Sequence, residues 1–264
     1  MMQTPSILSP LPVFAANMFG HAIGARLNSP VNEVGIIFHQ AWPDVEYFPS
    51  SGTSQTFLNA SLINKRGATA FTIKGEPNGG DYANSAGVDG MSYQPGATAT
   101  VELSLLLKLT RGFKLDSLKN QMRAAKIGGG QVLHYKKILE FGDDLSEVFS
   151  KLPSGYWVSD ASEVVKKRMA LGYSIAESVL TQIKSTEGVQ SGWFVPVTLG
   201  YSTITSFKQR NGARDSLPHA FAEPILGLTQ LVSVGLIKRQ ETLPQLWKNR
   251  WINSDATSIF HIYQ

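Results

Sequence analysis

Residues 192–215 read GWFVPVTLGYSTITSFKQRNGARD, an apolar strand-like run that flows into a polar loop. Trp193, Phe194, Val195, Val197 and Leu199 have the character of a strand anchored in a core, and Lys208, Arg210 and Arg214 make the loop basic. Gly200, Asn211 and Gly212 let backbone approach a partner closely. A buried strand that delivers a basic loop predicts an anionic partner.

Outward from that run, the chain alternates element types. Phe14, Met18, Phe19, Ala22, Ile23 and Leu27 stand at helical spacing, and Asn28-Ser29-Pro30 ends the helix they predict. Val34 to Phe38 is uniformly apolar and reads as a central strand. Residues 56–62 and 68–73 predict a hairpin around Asn64-Lys65-Arg66-Gly67, with Gly67 free to take the left-handed turn position. Residues 74–98, rich in glycine, asparagine and serine, read as an inserted loop. A strand at 100–109, a helix at 115–126, the start of a strand at 130–133, a helical region at 161–185, a strand at 193–204 and a helix at 218–234 follow. This pattern gives a mixed α and β chain, expected to form one domain over residues 1–264.

Composition narrows the function. The 264 residues are 42% hydrophobic, enough for a sizeable core. With no cysteine there is no thiolate catalysis, cysteine-ligated zinc or disulfide, which fits a reducing cytoplasm. No apolar run approaches the roughly 18 residues of a membrane helix, and a signal-peptide pattern is missing from the start, so no membrane role is expected. The net charge of +4 is modest, so its distribution matters more than its size. Between Lys108 and Lys137 the basic residues are Lys108, Arg111, Lys114, Lys119, Arg123, Lys126, Lys136 and Lys137, against the single acid Asp116. Such a strip suits phosphates, and it equally suits the wet side of an amphipathic helix.

The wording of several patches is familiar. The run from Gly192 and the Asn211-Gly212-Ala213-Arg214-Asp215 loop resemble the C-terminal part of the second Csy protein of type I-F CRISPR surveillance complexes, which has a GWLVPIPxGY strand and a shorter N-A-R-D loop. In the same order along the chain, Ser9-Pro10 with Phe14, Phe19, Gly20, His21 and Ala22 looks like that family's first helix. Val34-Gly35-Ile36-Ile37-Phe38-His39 and Val101 to Leu107 are similar to two of its strands. Ala125 to Gly130 is similar to its MRLAGGS turn, and Pro153 to Ser159 to a further strand. The resemblance implies a ferredoxin-like, RNA-recognition-motif-like α+β core with insertions. It also implies a non-catalytic RNA-binding subunit that caps the 5′ handle of the guide RNA. Its partners would be the guide RNA (crRNA), the large subunit, the terminal backbone subunit and, through the assembled complex, target DNA; no cofactor is implied. Candidate RNA contacts are Lys108, Arg111, Arg123, Lys126, Gly128, Gly129, Lys208, Arg210, Asn211 and Arg214.

One departure stands out. The family opens with a core strand and an asparagine-containing turn, whereas this chain reaches Ser9-Pro10 after eight residues, so the first strand is expected to be missing or displaced. A late start, a replacement strand from Ile259 to Tyr263, or a strand lent by a partner at a free sheet edge would each account for it. The aromatic tail (Trp247, Trp251, Phe260, Tyr263) is too apolar for a free end and should pack on the core or a neighbouring subunit.

Catalysis finds little support. His21, His39, His134, His219 and His261 lie far apart, without the spacing of a helix-borne metal site. His134, beside Tyr135, Lys136 and Lys137, is the candidate general base for a metal-independent guide-processing endoribonuclease. Gly128-Gly129-Gly130 lacks the following Lys-Ser or Lys-Thr of a nucleotide-binding loop. It reads either as a turn presenting N–H groups to a phosphate or as a helix C-cap with a tight strand entry. A repeating backbone subunit of a minimal effector is the other alternative class.

Overall fold

The computed structural model describes residues 2–4, 7–43, 45–50, 53–58, 60–64, 93–97, 99–142, 145–184, 193–209, 217–240, 243–254 and 257–264. Short antiparallel ladders join β1 (Met2–Thr4) to β2 (Ile7–Ser9), β4 (Val45–Ser50) to β5 (Thr53–Leu58), β6 (Ala60–Asn64) to β7 (Tyr93–Ala97) and β9 (Lys126–Ile127) to β10 (Gly130–Gln131). The main sheet has seven strands. In spatial order they are β14 (Lys248–Asn253), β15 (Ser258–Tyr263), β12 (Phe194–Thr203), β13 (Ala222–Ser233), β11 (Tyr156–Asp160), β3 (Val31–Pro43) and β8 (Ala99–Leu109). Every pairing in it is antiparallel. With six helices among the described residues, the fold is α+β.

Both faces of the sheet are covered, and strand parity decides which side chain goes where. On one face Val34, Ile36, Val158, Val197, Leu199, Leu231 and Ile262 form a core with Val13 and Ala16 of α1 (Val13–Arg26). Beside it, α2 (Leu115–Met122) lays Leu118 and Met122 against Phe19, Ile23 and Leu107. On the other face Ile37 and Trp157 pack with Val148 of α3 (Leu145–Lys151) and with Val234 and Ile237 of α6 (Val234–Gln240). There too, Leu228 meets Val165 of α4 (Ser162–Ala170) and Val179 of α5 (Ile175–Lys184).

Helix α1 crosses its face of the sheet. At its start the Phe14 ring meets Tyr201 of β12 (centroids 4.9 Å apart) and Phe260 of β15 (5.9 Å). At its middle Gly20 lies against Val34 of β3 and Leu107 of β8. Its fourteen residues span about 21 Å.

Three sequence expectations need correction. Within residues 218–234, Ala222–Ser233 form strand β13 rather than a helix. The apolar positions Ile225, Leu228, Leu231 and Val234 repeat every third residue and imitate a helix face. Yet β13 is central and buried on both sides, which removes the alternation that marks a half-exposed strand. Gly227 belongs to the strand geometry, since a Cβ there would fall 2.2 Å from Leu199 Cδ1. Second, the helical region 161–185 is two helices. Gly172, at φ +93°, donates to the Met169 carbonyl and Tyr173 to Arg168, a paired-bond C-terminal motif that ends α4. Ser174 and Glu177 then start α5 with a capping box: Ser174 N–H and Oγ donate to Glu177 Oε2, and Glu177 N–H donates to Ser174 Oγ. Third, residues 93–97, read as part of an inserted loop, are strand β7. The expected hairpin arm 68–73 lies outside the described residues, and the strand expected from 130 stops at Gln131.

The tail packs as expected in part. Trp247 is completely buried and Phe260 half-buried, whereas Trp251 is 57% exposed. The segment named as a replacement strand is β15, held between β14 and β12.

Candidate nucleic-acid interface

The basic strip begins where β8 ends. Strands β3 and β8 pair Val31 with Leu109, so the residues flanking that pair are forced together. The end of α1 meets the loop before α2 here, stitched by Ser29 Oγ donating to the Arg111 carbonyl (2.6 Å) and accepting from Arg111 N–H (3.1 Å). Arg26, Leu27, Gly112, Phe113, Lys114 and Ser117 line an open cleft of about 520 Å³. Lys114 is the N-cap of α2 and makes no side-chain cap bond, so the first N–H groups of the helix add their partial positive charge to the two cations.

Not every cation of the strip is free. Lys108 Nζ lies 3.6 Å from Glu33, Lys119 3.5 Å from Asp116 and Lys136 2.8 Å from Glu102. The Lys136 hydrogen bond, together with its charge, holds the Glu102 carboxyl below the usual carboxylate range. Arg26, Arg111, Lys114, Arg123 and Lys126 are exposed, and no ion pair engages them among the described residues. Arg123 and Lys126 follow the wet side of α2, whose Leu118 and Met122 face inward. Helix α2 is amphipathic with its Lys119 paired to Asp116, and the cations outside any described ion pair flank it, Arg111 and Lys114 before it and Arg123 and Lys126 after it.

Gly128 and Gly129 form the two-residue turn of the β9–β10 hairpin, with φ values of +61° and +83°. Two successive positive φ angles define the turn whose twist matches a tight hairpin, a geometry that glycine enters without strain. The helix ends earlier, where Ala125 N–H donates to the Met122 carbonyl. A Cβ on Gly128 would stand 3.4 Å from Ala15 of α1, so the turn leans on the first half of that helix.

Lys208 lies past the end of β12, where it exchanges backbone hydrogen bonds with His219. Arg210, Asn211 and Arg214 lie outside the described residues. Next to Lys208, Phe207 packs on Trp251 (6.4 Å) and Trp251 on Phe260 (5.2 Å). Burial raises the pKa of the Tyr201 phenol, which stays protonated. Among the described candidates, Arg111 lies by the end of α1, the Gly128 turn against its first half, and Lys208 beside the rings near its start.

His134 stands exposed in an irregular stretch, beside a broad groove along the outer edge of β8. No group of three or more metal-ligating side chains occurs among the described residues. No helix among them is long and apolar enough to cross a membrane.

Sequence reasoning passed over two features. Arg26 reads as an isolated charge at a helix end, and only the β3–β8 register brings it to Lys114. Trp251 reads as tail packing, although its place on an edge strand leaves the ring open.

The fold and surface define an α+β protein with unneutralised cations and exposed rings on one side of an antiparallel sheet. Residues 176–258, about a third of the chain, match the family described as CRISPR-associated protein (Cas_Csy2). The match bears out the resemblance read from the sequence and supports a Csy2 subunit of type I-F CRISPR systems. That family implies membership of a Cas complex alongside other Cas subunits. No curated protein matches the chain.

Proposed function

We propose that this chain is a non-catalytic, cytoplasmic guide-RNA-binding subunit of a type I-F-like surveillance complex. In this reading it caps the 5′ handle and contacts the large subunit and the terminal backbone subunit. The observation that carries the reading is the ridge formed by Arg26, Arg111, Lys114, Arg123 and Lys126. These cations are exposed and outside any described ion pair, and they run from an open cleft, on either flank of α2, to a glycine turn. Cations without carboxylate partners attract phosphates and release counterions when they bind them. Target DNA is met through the assembled complex.

Native mass spectrometry of the complex co-expressed with its guide RNA tests this. One copy of the chain per guide RNA is expected, and several copies would make it a repeating backbone subunit. Incubating the purified chain with precursor RNA in the absence of metal should leave the RNA intact. Cleavage lost on His134→Ala would make the chain a processing endoribonuclease.

A further inference from the structure

The second cluster on the α1 side has a composition that the phosphate ridge does not explain. In the sheet register Tyr201 of β12 stands opposite Phe260 of β15, and Phe260 opposite Trp251 of β14, so three rings form one row across three adjacent strands. Phe207, arriving from the loop after β12, packs on the free side of Trp251. The outer members are open: Trp251 is 57% exposed, Phe207 49% and Tyr201 37%. Phe14 of α1 packs edge-on over the inner end of the row, against Tyr201 and Phe260.

A polar group adjoins the rings. Asn249 precedes Trp251 by two residues, so it stands on the same face of β14, about 7 Å along the strand. Its Nδ2 donates to Asn17 Oδ1 (3.0 Å) and closely approaches His21 Nε2. With Nε2 accepting, the neutral His21 ring carries its proton on Nδ1. Part-exposed His21 and Asn249 therefore bring an N–H donor and an amide oxygen acceptor to the edge of an aromatic surface.

We infer that the row Tyr201–Phe260–Trp251, with Phe207 and the His21–Asn249 pair, is a stacking platform for unpaired bases of single-stranded RNA. Resting on the RNA-binding reading above, this assigns the bases a place distinct from the phosphate ridge. Bases present flat faces that stack on rings and polar edges that take hydrogen bonds, and the cluster offers both. An apolar protein surface would use the rings and leave the amide and imidazole idle. Lys248, paired with Glu33, and Arg250, stacked over Tyr263, stand one residue out of the Trp251 row and so lie on the other face. Glu223, the single carboxylate of β12, β13, β14 and β15, pairs with Ser202, one residue out of the aromatic row, and so belongs to that other face too. Lys208 follows Phe207 directly. The platform and the cleft at Arg26 lie at opposite ends of α1, about 21 Å apart, a span that an extended single strand bridges with several nucleotides.

The test uses the purified full chain and a fluorescein-labelled single-stranded oligoadenylate, with the same strand in duplex form as the comparison. The wild type should bind the single strand more tightly than the duplex. Trp251→Ala should weaken single-strand binding by about five-fold to 150-fold, the range for loss of one base–aromatic stack, while Trp251→Phe retains most of the affinity. Because the ring is largely exposed, the folded state survives its removal, which circular dichroism checks. Single-strand binding within two-fold of wild type in Trp251→Ala, with Arg26→Ala still weakening it, overturns the platform and leaves the RNA-binding reading standing. No RNA binding by the wild type overturns both. Unchanged RNA binding with loss of another Cas subunit on co-purification overturns the platform and makes the row a protein contact.

Discussion

Removing the two cations of the cleft should change the salt dependence of RNA binding by an amount the structure fixes in advance. Arg26 and Lys114 are both exposed, both line the same cleft and have no ion pair among the described residues, so Arg26→Ala with Lys114→Ala takes away charge without emptying a core position. Each phosphate neutralised on a single strand contributes about 0.7 to the slope of log affinity against log salt, so losing two contacts should flatten the slope by about 1.4. At about 0.15 M salt each contact is worth about 0.7RT ln(1/0.15), about 0.8 kcal/mol, and the pair together about a fifteen-fold loss of affinity. Fluorescence anisotropy with single-stranded RNA over a series of salt concentrations measures both quantities. Lys166→Ala is the control, because Lys166 lies on α4 across the sheet and is held by Glu163 at 2.6 Å. A double variant with the wild-type slope refutes phosphate contact at the cleft, even if its affinity falls. A loss shared equally by Lys166→Ala would mean that only the overall charge matters.

Three further outcomes follow from the packing. Gly200→Ala should destabilise the fold by more than about 3 kcal/mol in urea unfolding, because its Cβ would lie 1.9 Å from the Phe260 carbonyl oxygen where β12 meets β15, at φ +150°; a loss below about 1 kcal/mol would refute that close approach. Trp247→Phe should be more destabilising than Trp157→Phe by about 1–2 kcal/mol. Both indoles are completely buried, but Trp247 Nε1 donates to the Val158 carbonyl at 2.9 Å, whereas Trp157 Nε1 has no partner among the described residues. Equal losses would contradict that difference. Burial holds the His21 pKa below its ordinary value, so the folded state favours the neutral ring. The unfolded chain takes up this proton first as pH falls below about 6.5, so stability should decline from there towards the lowered folded pKa. Thermal melts of His21→Gln should lack that component, and identical pH profiles would remove it.

What the sequence reveals depends on whether an element announces its own surroundings. Strand β12 is legible because its apolar run is bounded by glycine and a polar loop, and α1 because Asn28-Ser29-Pro30 stops a helical pattern. Strand β13 is not, since a strand covered on both faces loses its alternation and the spacing of Ile225, Leu228 and Leu231 then fits a helix equally well. The functional surface divides in the same way. Arg123 and Lys126 belong to a local charge run, so sequence finds them. Arg26 joins them through a strand register between residues 31 and 109, which no local pattern encodes. Trp247 and Trp251 are four residues apart with opposite fates: Trp247 is sealed beneath Asn17 of α1, while Trp251 lies further along the edge strand and stays open.

The family match begins in α5 and ends in β15, yet those residues do not close a core by themselves. Trp247 exchanges both backbone hydrogen bonds with Val34 (2.9 and 2.8 Å) and gives its indole proton to Val158. Asn249 donates to Asn17 of α1, and Leu199 and Leu231 share a core with Val13, Ala16 and Ile36. On the far side, among the described residues, β13 reaches the N-terminal half of the sheet through β11, which pairs with β3. The matched stretch therefore supplies one half of a sheet whose covering helix and remaining strands come from earlier in the chain. The proposed functional surface repeats that division, because the ring row is built on β12, β14 and β15 while the unneutralised cations stand at the end of α1, on both flanks of α2 and in β9. A substitution that loosens α1 from the sheet should accordingly disturb both places at once, whereas one confined to either end should separate phosphate contact from base contact.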